Sequence, residues 1–204
     1  MSARGGEAAI VQRIVAAIGT TNRYAVEVGA RDGMGQSTTY RLRVDHGWTC
    51  LLLDARPKAP IVHRVFLTAE NIGPTFVRHG VPAAFDLLSI DVDGNDFHLW
   101  RALSAYRPRV VVVEYNSSFG PDESVVMPYD PAHVWDKTEY YGASAAALVK
   151  LGRTRGYTLV DVTPRVNLFF MVDEALPDSG LASCPLPPRA PYGYPATTRR
   201  WEGY

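Results

Sequence analysis

The sequence predicts an α/β fold with a doubly wound, mostly parallel sheet, and three observations support this prediction. Apolar runs that fit buried strands alternate with segments of helical periodicity along most of the chain. The acidic stretch at 91–96 directly follows one such run, at the strand end where open α/β sheets bind their ligands. Two apolar runs at 157–161 and 166–172 are separated by a short turn, which predicts an antiparallel hairpin.

The composition is that of an ordinary globular protein, and it predicts one catalytic domain over 1–175 and a proline-rich tail over 176–204. Lys plus Arg and Asp plus Glu number 21 each, and this balance argues against nucleic acid or an anionic membrane as a partner. The chain has two cysteines, which fits a reducing cytosol. No apolar stretch resembles a signal peptide or a membrane span, so we expect a cytoplasmic protein.

Helix and strand signals alternate through the first half of the chain. Ile10, Ile14 and Ile18 recur at helical spacing and predict a first helix that Gly19 ends. A short apolar strand then runs into a loop rich in glycine. The elements predicted here are a helix over 6–18, a strand over 24–29, a helix over 36–44, a strand over 49–53, a weaker strand over 62–67 and a helix over 71–79.

The second half begins with a strand over 85–91 whose apolar residues leave no face for water. Apolar residues from Phe97 to Tyr106 are spaced for a helix, which Pro108 would end. The remaining predicted elements are a buried strand over 110–113, an irregular lid over 117–141, a helix over 143–151 and the strands over 157–161 and 166–172. The prolines after Ala175 predict a tail without regular structure.

The first strand is followed by a glycine-rich loop of the kind that binds nucleotides. Gly29, Gly33 and Gly35 allow the backbone to come close to a ligand, and the next helix offers free N–H groups. Their spacing differs from the G-x-G-x-x-G fingerprint of dinucleotide binding and from a Walker loop. Glu27 and Asp32 would repel a pyrophosphate, so the loop favours a cationic or zwitterionic ligand.

Asp54 follows the second strand, at the position where an acid commonly accepts hydrogen bonds from both ribose hydroxyls. Together with the loop after the first strand, this acid predicts the binding of an adenosine without a diphosphate. The alternative interpretation of Asp54 is an ordinary exposed acid at a strand end.

Seven segments resemble class I S-adenosylmethionine-dependent methyltransferases, in particular the FkbM-like group. They are Val26–Gly33, Gly47–Asp54, Phe85–Asp96, Arg107–Val110, Glu114–Asn116, Tyr140–Ser144 and Asn167–Phe170. The resemblance covers residues 20–172, and the ordered set is more specific than any one segment. It implies a Rossmann-like sheet of seven strands whose last strand is antiparallel.

The resemblance also implies S-adenosylmethionine as the cofactor. Glu27 and Gly29 would contact its methionine part, Asp54 its ribose, and Ala55 or Arg56 would lie near its adenine. The full set of predicted cofactor-binding residues is Glu27, Gly29, Ala30, Arg31, Asp32, Gly33, Ser37, Asp54, Ala55, Arg56 and Asp91.

Methyl transfer depends mainly on positioning, because the charge of the sulfonium disappears during an in-line displacement. A base helps when the acceptor is a hydroxyl or an ammonium. Asp91 is the first candidate for this base and Glu114 the second, since each follows a predicted strand. The other residues predicted to act in catalysis or to shape the acceptor pocket are Tyr115, Asn116, His133, Tyr140 and Tyr141.

A magnesium ion held by Asp91 and Asp93, together with substrate oxygens, is an alternative use of the acidic stretch. The stretch is not an EF-hand, because its glycine, Gly94, stands at position 4 instead of 6 and its twelfth residue is Ala102 instead of Glu. A purely structural interpretation is that Asp93 and Asn95 turn the chain and that Asp96 caps the following helix.

The sequence therefore predicts a methyltransferase for a natural-product or sugar-like small molecule, with an oxygen atom as the expected acceptor. Two alternatives remain open: another reaction of the same cofactor, such as an internal cyclisation or aminocarboxypropyl transfer that releases methylthioadenosine, and a non-catalytic module that binds the cofactor. The aromatic residues of the tail, among them Tyr192, Tyr194 and Trp201, would cover the pocket or mediate a homodimer if the tail is ordered.

Overall fold

The computed structural model describes residues 6–204 and places them around one seven-stranded sheet, with a separate two-stranded ribbon. Residues 1–5 of the predicted domain lie outside the described residues. The strands are β1 Tyr24–Val28, β2 Thr49–Asp54, β3 His63–Arg64, β4 Ala84–Ile90, β5 Arg107–Glu114, β6 Val125–Val126, β7 Tyr157–Thr163, β8 Asn167–Val172 and β9 Glu202–Gly203. β6 and β9 form the ribbon.

The strand order in the sheet is β3-β2-β1-β4-β5-β8-β7. β1 pairs in parallel with β2 and β4, β2 with β3, and β4 with β5. β8 is antiparallel to both β5 and β7. The predicted fold class is confirmed: the sheet is Rossmann-like, has seven strands and is mostly parallel, and the hairpin at its end is antiparallel. The chain order reverses between β1 and β4, which is where such sheets bind ligands.

Helices cover both faces of the sheet, as expected for a doubly wound fold. They are α1 Glu7–Ile18, α2 Tyr40–His46, α3 Ile72–Arg78, α4 Asp96–Ala102, α5 Ala145–Thr154 and α6 Leu176–Ser179. Successive residues of a central strand enter different cores, because side chains alternate across a sheet. Leu87 and Val110 pack in the core that includes α1, whereas Leu88 and Val111 pack in the core that includes α4 and α5.

Several helix boundaries differ from those predicted from the sequence, and hydrogen bonds explain two of the differences. α2 begins at Tyr40 instead of residue 36, because the residues before it are hydrogen-bonded to Glu27. α4 ends at Ala102 and does not continue to residue 106. The Arg155 guanidinium donates to the carbonyls of Trp100 and Leu103 at this end, so those carbonyls are satisfied without a further helical turn.

The third strand and the tail also differ from the prediction. β3 contains only His63 and Arg64, where the sequence predicts a strand over 62–67. The tail contains the short helix α6 and the strand β9, which pairs antiparallel with β6 inside the predicted lid. β9 follows the last proline of the chain, Pro195, so the proline content of the tail does not describe its final residues. None of the helices within 6–204 is long and apolar enough to cross a bilayer.

Candidate active site

The candidate site lies at the carboxyl ends of β1 and β4, where the strand order reverses. Gly29 follows β1 with a φ of +87°, and a Cβ atom there would lie 1.7 Å from the main-chain oxygen of Asp91. The Asp91 N–H donates to Val28 O at 3.0 Å, which holds the two strand ends together. Only glycine fits this backbone conformation and this approach. The structure thus brings two predicted site residues, Gly29 and Asp91, into direct contact.

The loop after β1 is organised by Glu27, whose side chain points inward. Its carboxylate accepts hydrogen bonds from the Ser37 hydroxyl at 2.6 Å and the Thr38 N–H at 2.9 Å, and from the hydroxyl and N–H of Thr39. Burial raises the pKa of Glu27, although these hydrogen bonds act in the opposite direction. Ser37 was predicted as a cofactor-binding residue, and here it positions the loop. That Glu27 and Ser37 contact a cofactor stays a prediction.

Thr38 and Thr39 are residues of this site that the sequence argument missed. The signal was present in the run of three hydroxyl residues, Ser37–Thr39, that directly follows the glycine-rich loop. Hydroxyl and N–H groups of such a run are typical partners of a buried carboxylate.

The glycine-rich loop has two further fixed points, at Asp32 and Gly33. Asp32 accepts hydrogen bonds from the N–H groups of Met34 and Gly35, each at 2.9 Å, and the Met34 N–H is the main cause that lowers the pKa of this exposed carboxyl. Gly33 has a φ of +66°, and a Cβ there would lie 2.7 Å from Leu52. Ala30 is buried, so its side chain packs in the interior of the protein and fixes this part of the loop. The loop is therefore preformed by its own residues.

Asp54 connects the loop after β1 with the turn after β2. Its two carboxylate oxygens accept the Arg31 N–H at 2.8 Å and the Arg56 N–H at 2.6 Å. A carboxylate offers about four acceptor positions, so about half of the capacity of Asp54 is left for a ligand. Ala55 and Arg56 are exposed beside it, as a site for an adenine requires. The predicted ribose and adenine residues thus lie together.

Three carboxylates converge at the neighbouring strand ends. One oxygen each from Asp91, Asp93 and Glu114 lies within 4.8 Å of the other two. Asp91 and Glu114 are the two predicted bases, and Asp91 and Asp93 are the two predicted metal ligands, so the structure unites both sets. Negative charges at such distances repel one another, and a cationic group stabilises them. The cluster has the oxygen ligands that Mg²⁺ prefers and equally suits a sulfonium.

The loop that contains Asp93 is hydrogen-bonded to the side chain of Asp96. The Asp96 carboxylate is buried and accepts the N–H groups of Val92 at 2.8 Å and Gly94 at 2.9 Å. Burial raises the pKa of Asp96 to about 7. Asp93 has a left-handed backbone with a φ of 58°. Asp96 therefore acts structurally, as the alternative interpretation predicts, but it binds the loop before α4 and not the N–H groups of the helix.

The predicted lid rests on this acidic loop. The Asn95 amide donates to Asp130 O at 2.8 Å, and a Cβ at Gly94 would lie 2.4 Å from the His133 ring. Burial lowers the pKa of the His133 imidazole, which favours its neutral form. His133 thus lies against the backbone next to Asp93, close to where the sequence places it. Its part in catalysis stays a prediction.

Tyr115 and Asn116, two of the predicted catalytic residues, have hydrogen-bond partners outside the acid cluster, and their part in catalysis stays a prediction. The Tyr115 hydroxyl accepts the Arg165 N–H at 2.9 Å, in the turn between β7 and β8. The Asn116 amide donates to Glu139 O and Tyr141 O, both at 2.8 Å, and its oxygen accepts the N–H of the residue at 118. Asn116 thereby fixes the end of the lid.

Comparison with protein-family models gives no match, and comparison with curated proteins gives none either. The family suggested by the sequence segments therefore stays a prediction.

Proposed function

We propose that the protein is an S-adenosylmethionine-dependent methyltransferase that acts on a hydroxyl group of a small molecule. The proposal depends on one observation. Gly29, Asp54 and the three-carboxylate cluster all lie at the carboxyl ends of neighbouring strands, where the strand order reverses. A ribose and a positive charge suit this edge of the sheet. A diphosphate does not, because the groups nearest the strand ends are acidic.

The residues after β1 and β2 support the nucleoside part of the proposal. Asp54 retains acceptor capacity for two hydroxyls beyond its bonds to Arg31 and Arg56. Apolar surface is exposed nearby: Ile61 is 47% exposed and Phe66 is 45% exposed. Phe66 directly follows the residue whose N–H donates to Asp54 O at 2.9 Å. An adenine ring would cover part of this surface.

The acid cluster supports the reactive part of the proposal. S-adenosylmethionine, when bound, supplies a methyl group on a positively charged sulfur. Asp91, beside Gly29, would stabilise that charge, and Glu114, on the adjacent strand, would accept the proton of the acceptor hydroxyl. Most of the rate enhancement would come from the alignment of the acceptor oxygen with the methyl group, because the protein contributes no chemical step besides this proton transfer.

Mass spectrometry of the products tests the proposal. Purified protein is incubated with S-adenosylmethionine and a mixture of small-molecule extracts. S-adenosylhomocysteine together with an acceptor heavier by one methylene group is the expected result. Release of methylthioadenosine would identify a different reaction of the same cofactor. Calorimetric binding without any turnover would identify a binding module.

A further inference from the structure

Residues 189–204, which we term the C-terminal strap, run along the predicted lid, residues 117–141. The Ala190 N–H donates to Ser117 O at 2.8 Å, and the Glu139 N–H donates to Pro195 O at 3.0 Å. The strap ends in β9, which pairs with β6 of the lid. The strap therefore contacts the lid near its beginning, its middle and its end.

Aromatic rings join the strap to the lid at two places. The Trp201 ring lies 4.7 Å from the Phe119 ring and 5.1 Å from the Tyr140 ring, measured between centroids. The Tyr194 ring lies 5.0 Å from Trp135, in an edge-to-face arrangement. Aromatic pairs of this kind stabilise a contact beyond the area that they bury. These contacts are the main apolar connection between the two segments.

Charged groups add to the connection. Arg199 lies 3.2 Å from the Asp136 carboxylate and 5.0 Å from the centre of the Tyr140 ring. Arg189 lies 3.3 Å from the Glu123 carboxylate and donates to Ser118 O. Because these pairs are exposed, each contributes little on its own. The strap is thus held by many weak contacts, which is typical of a segment that can open locally.

The lid comes close to the candidate base Glu114 at Tyr141, and the strap contacts the same tyrosine. Tyr141 is buried and its ring lies 6.4 Å from the Tyr194 ring. Burial raises the pKa of the Tyr141 phenol, and the charge of Glu114 adds to this effect. The Oε2 atom of Glu114 is shielded from solvent. Since a base must come within hydrogen-bond distance of the proton that it takes up, an acceptor can reach this oxygen only after neighbouring groups move.

Two hollows of the described surface, with volumes of about 460 and 420 Å³, are both lined by Arg107 at the amino end of β5. The candidate base Glu114 ends the same strand at its opposite, carboxyl end. These two hollows therefore lie away from the candidate site.

We propose that the strap and the lid form one gate, which opens as a unit to admit the acceptor to Asp91 and Glu114 and leaves the cofactor side unchanged. The proposal rests on the proposed function for the identity of the ligands, but the gate itself can be tested without them.

Hydrogen exchange of the full chain, read by mass spectrometry, tests whether the gate is one unit. Trp201→Ala removes the ring that contacts Phe119 and Tyr140, and we expect exchange in peptides of both the strap and the lid to accelerate by the same factor, about tenfold or more. Peptides of β1 and β4 should not change. Val77→Ala, at a highly exposed position on α3, is the control and should change neither segment.

Two results of this measurement would overturn the proposal. If the strap exchanges faster in Trp201→Ala while the lid stays as protected as before, the two segments open separately. If the lid exchanges only as fast as the central strands, it opens only when the whole protein unfolds, and it is then not part of a gate.

A disulfide across the ribbon tests the function of the gate. Val125 and Gly203 are opposed in the antiparallel pair, and a Cβ at Gly203 meets no atom within 4 Å. Opposed residues of such pairs are close enough for a disulfide. The variant carries Val125→Cys and Gly203→Cys in a background in which Cys50 and Cys184 are replaced by serine. Because the disulfide joins two segments that open together, we expect the oxidised and the reduced forms to transfer methyl groups at the same rate.

Calorimetry with S-adenosylmethionine separates the gate from the proposed function. Equal affinity and equal activity in the oxidised and reduced forms support one gate that opens as a unit. Activity only in the reduced form would show that the strap must separate from the lid, and would overturn the proposal. If neither form binds S-adenosylmethionine, the proposed function fails, and the hydrogen-exchange result still decides whether the strap and the lid open together.

Discussion

At the scale of single residues, the candidate site depends on positions where the backbone leaves no freedom. Gly29 is such a position, because its conformation is left-handed and the Asp91 carbonyl occupies the place of a side chain. Asp54 is another, since it ties two loops by their N–H groups. Asp96 is a third, because its buried carboxylate accepts two N–H groups of the loop before α4. A separate prediction follows for each of these three residues.

Gly29→Ala should destabilise the protein by at least about 2–3 kcal/mol, because both the strained backbone and the contact with Asp91 O must be relieved. Gly73→Ala is the matched control, since Gly73 lies in α3 with nothing within 4 Å of the added Cβ. This control should be neutral or stabilising by about 0.5–1 kcal/mol. Urea denaturation measures both, and equal stability of the two variants would refute the steric argument.

Asp54→Asn should weaken the binding of S-adenosylhomocysteine at least tenfold, which is about 1.4 kcal/mol. The amide has only one acceptor oxygen, so it cannot serve both backbone N–H groups and two ribose hydroxyls. Asp45→Asn, an exposed acid paired with Arg41 on α2, is the control. Titration calorimetry measures the affinities. An unchanged affinity in Asp54→Asn would remove the ribose assignment.

Asp96 should make the stability of the protein depend on pH. Its pKa is raised from 3.8 to about 7, so the folded state holds the proton more firmly than the unfolded state does. The resulting stabilisation is complete below about pH 4 and is lost as the pH rises towards 7. Asp96→Asn lacks this titration, so its stability should fall less between pH 5 and 7, by up to about 1.4 kcal/mol per pH unit. Parallel curves of unfolding free energy against pH would contradict this assignment.

At the scale of elements, hydrophobic periodicity predicts whether a segment is a helix or a strand better than it predicts the residues at which that element begins and ends. Strands such as β4 and β5 are found where apolar runs predict them, because burial on both faces requires such runs. The boundaries of α2 and α4 depend on tertiary hydrogen bonds from Glu27 and Arg155, which no local pattern contains. β9 depends on pairing with a strand far away in the sequence, so its residues carry no local signal.

Arg155→Ala should destabilise the protein by about 2 kcal/mol, because the carbonyls of Trp100 and Leu103 at the end of α4 lose their donor. Arg153→Ala is the control, since Arg153 is an exposed residue two positions away on α5. It should change the free energy of unfolding by less than about 0.5 kcal/mol. Thermal unfolding of both variants, followed by circular dichroism, makes the comparison. Equal losses would show that Arg155 does not fix the end of α4.

At the scale of the whole molecule, the location of the acid cluster could be predicted, but the contacts between the tail and the lid could not. The acids after β4 and β5 are visible in the sequence, and parallel strands bring their carboxyl ends to one edge. The meeting of Asp93 with Glu114 requires the left-handed turn at Asp93, which the sequence does not specify. The packing of Tyr194 and Trp201 on the lid depends on contacts across the fold, and the proline content of the tail indicated disorder instead.

The central claim is that the carboxyl edge between β1 and β4 receives an adenosyl cation. A crystal structure of the protein with S-adenosylhomocysteine tests it most directly. We expect the ribose hydroxyls within hydrogen-bond distance of Asp54 and the sulfur between Gly29 and Asp91. A nucleoside bound anywhere else, or no bound nucleoside at millimolar concentration, would contradict the account.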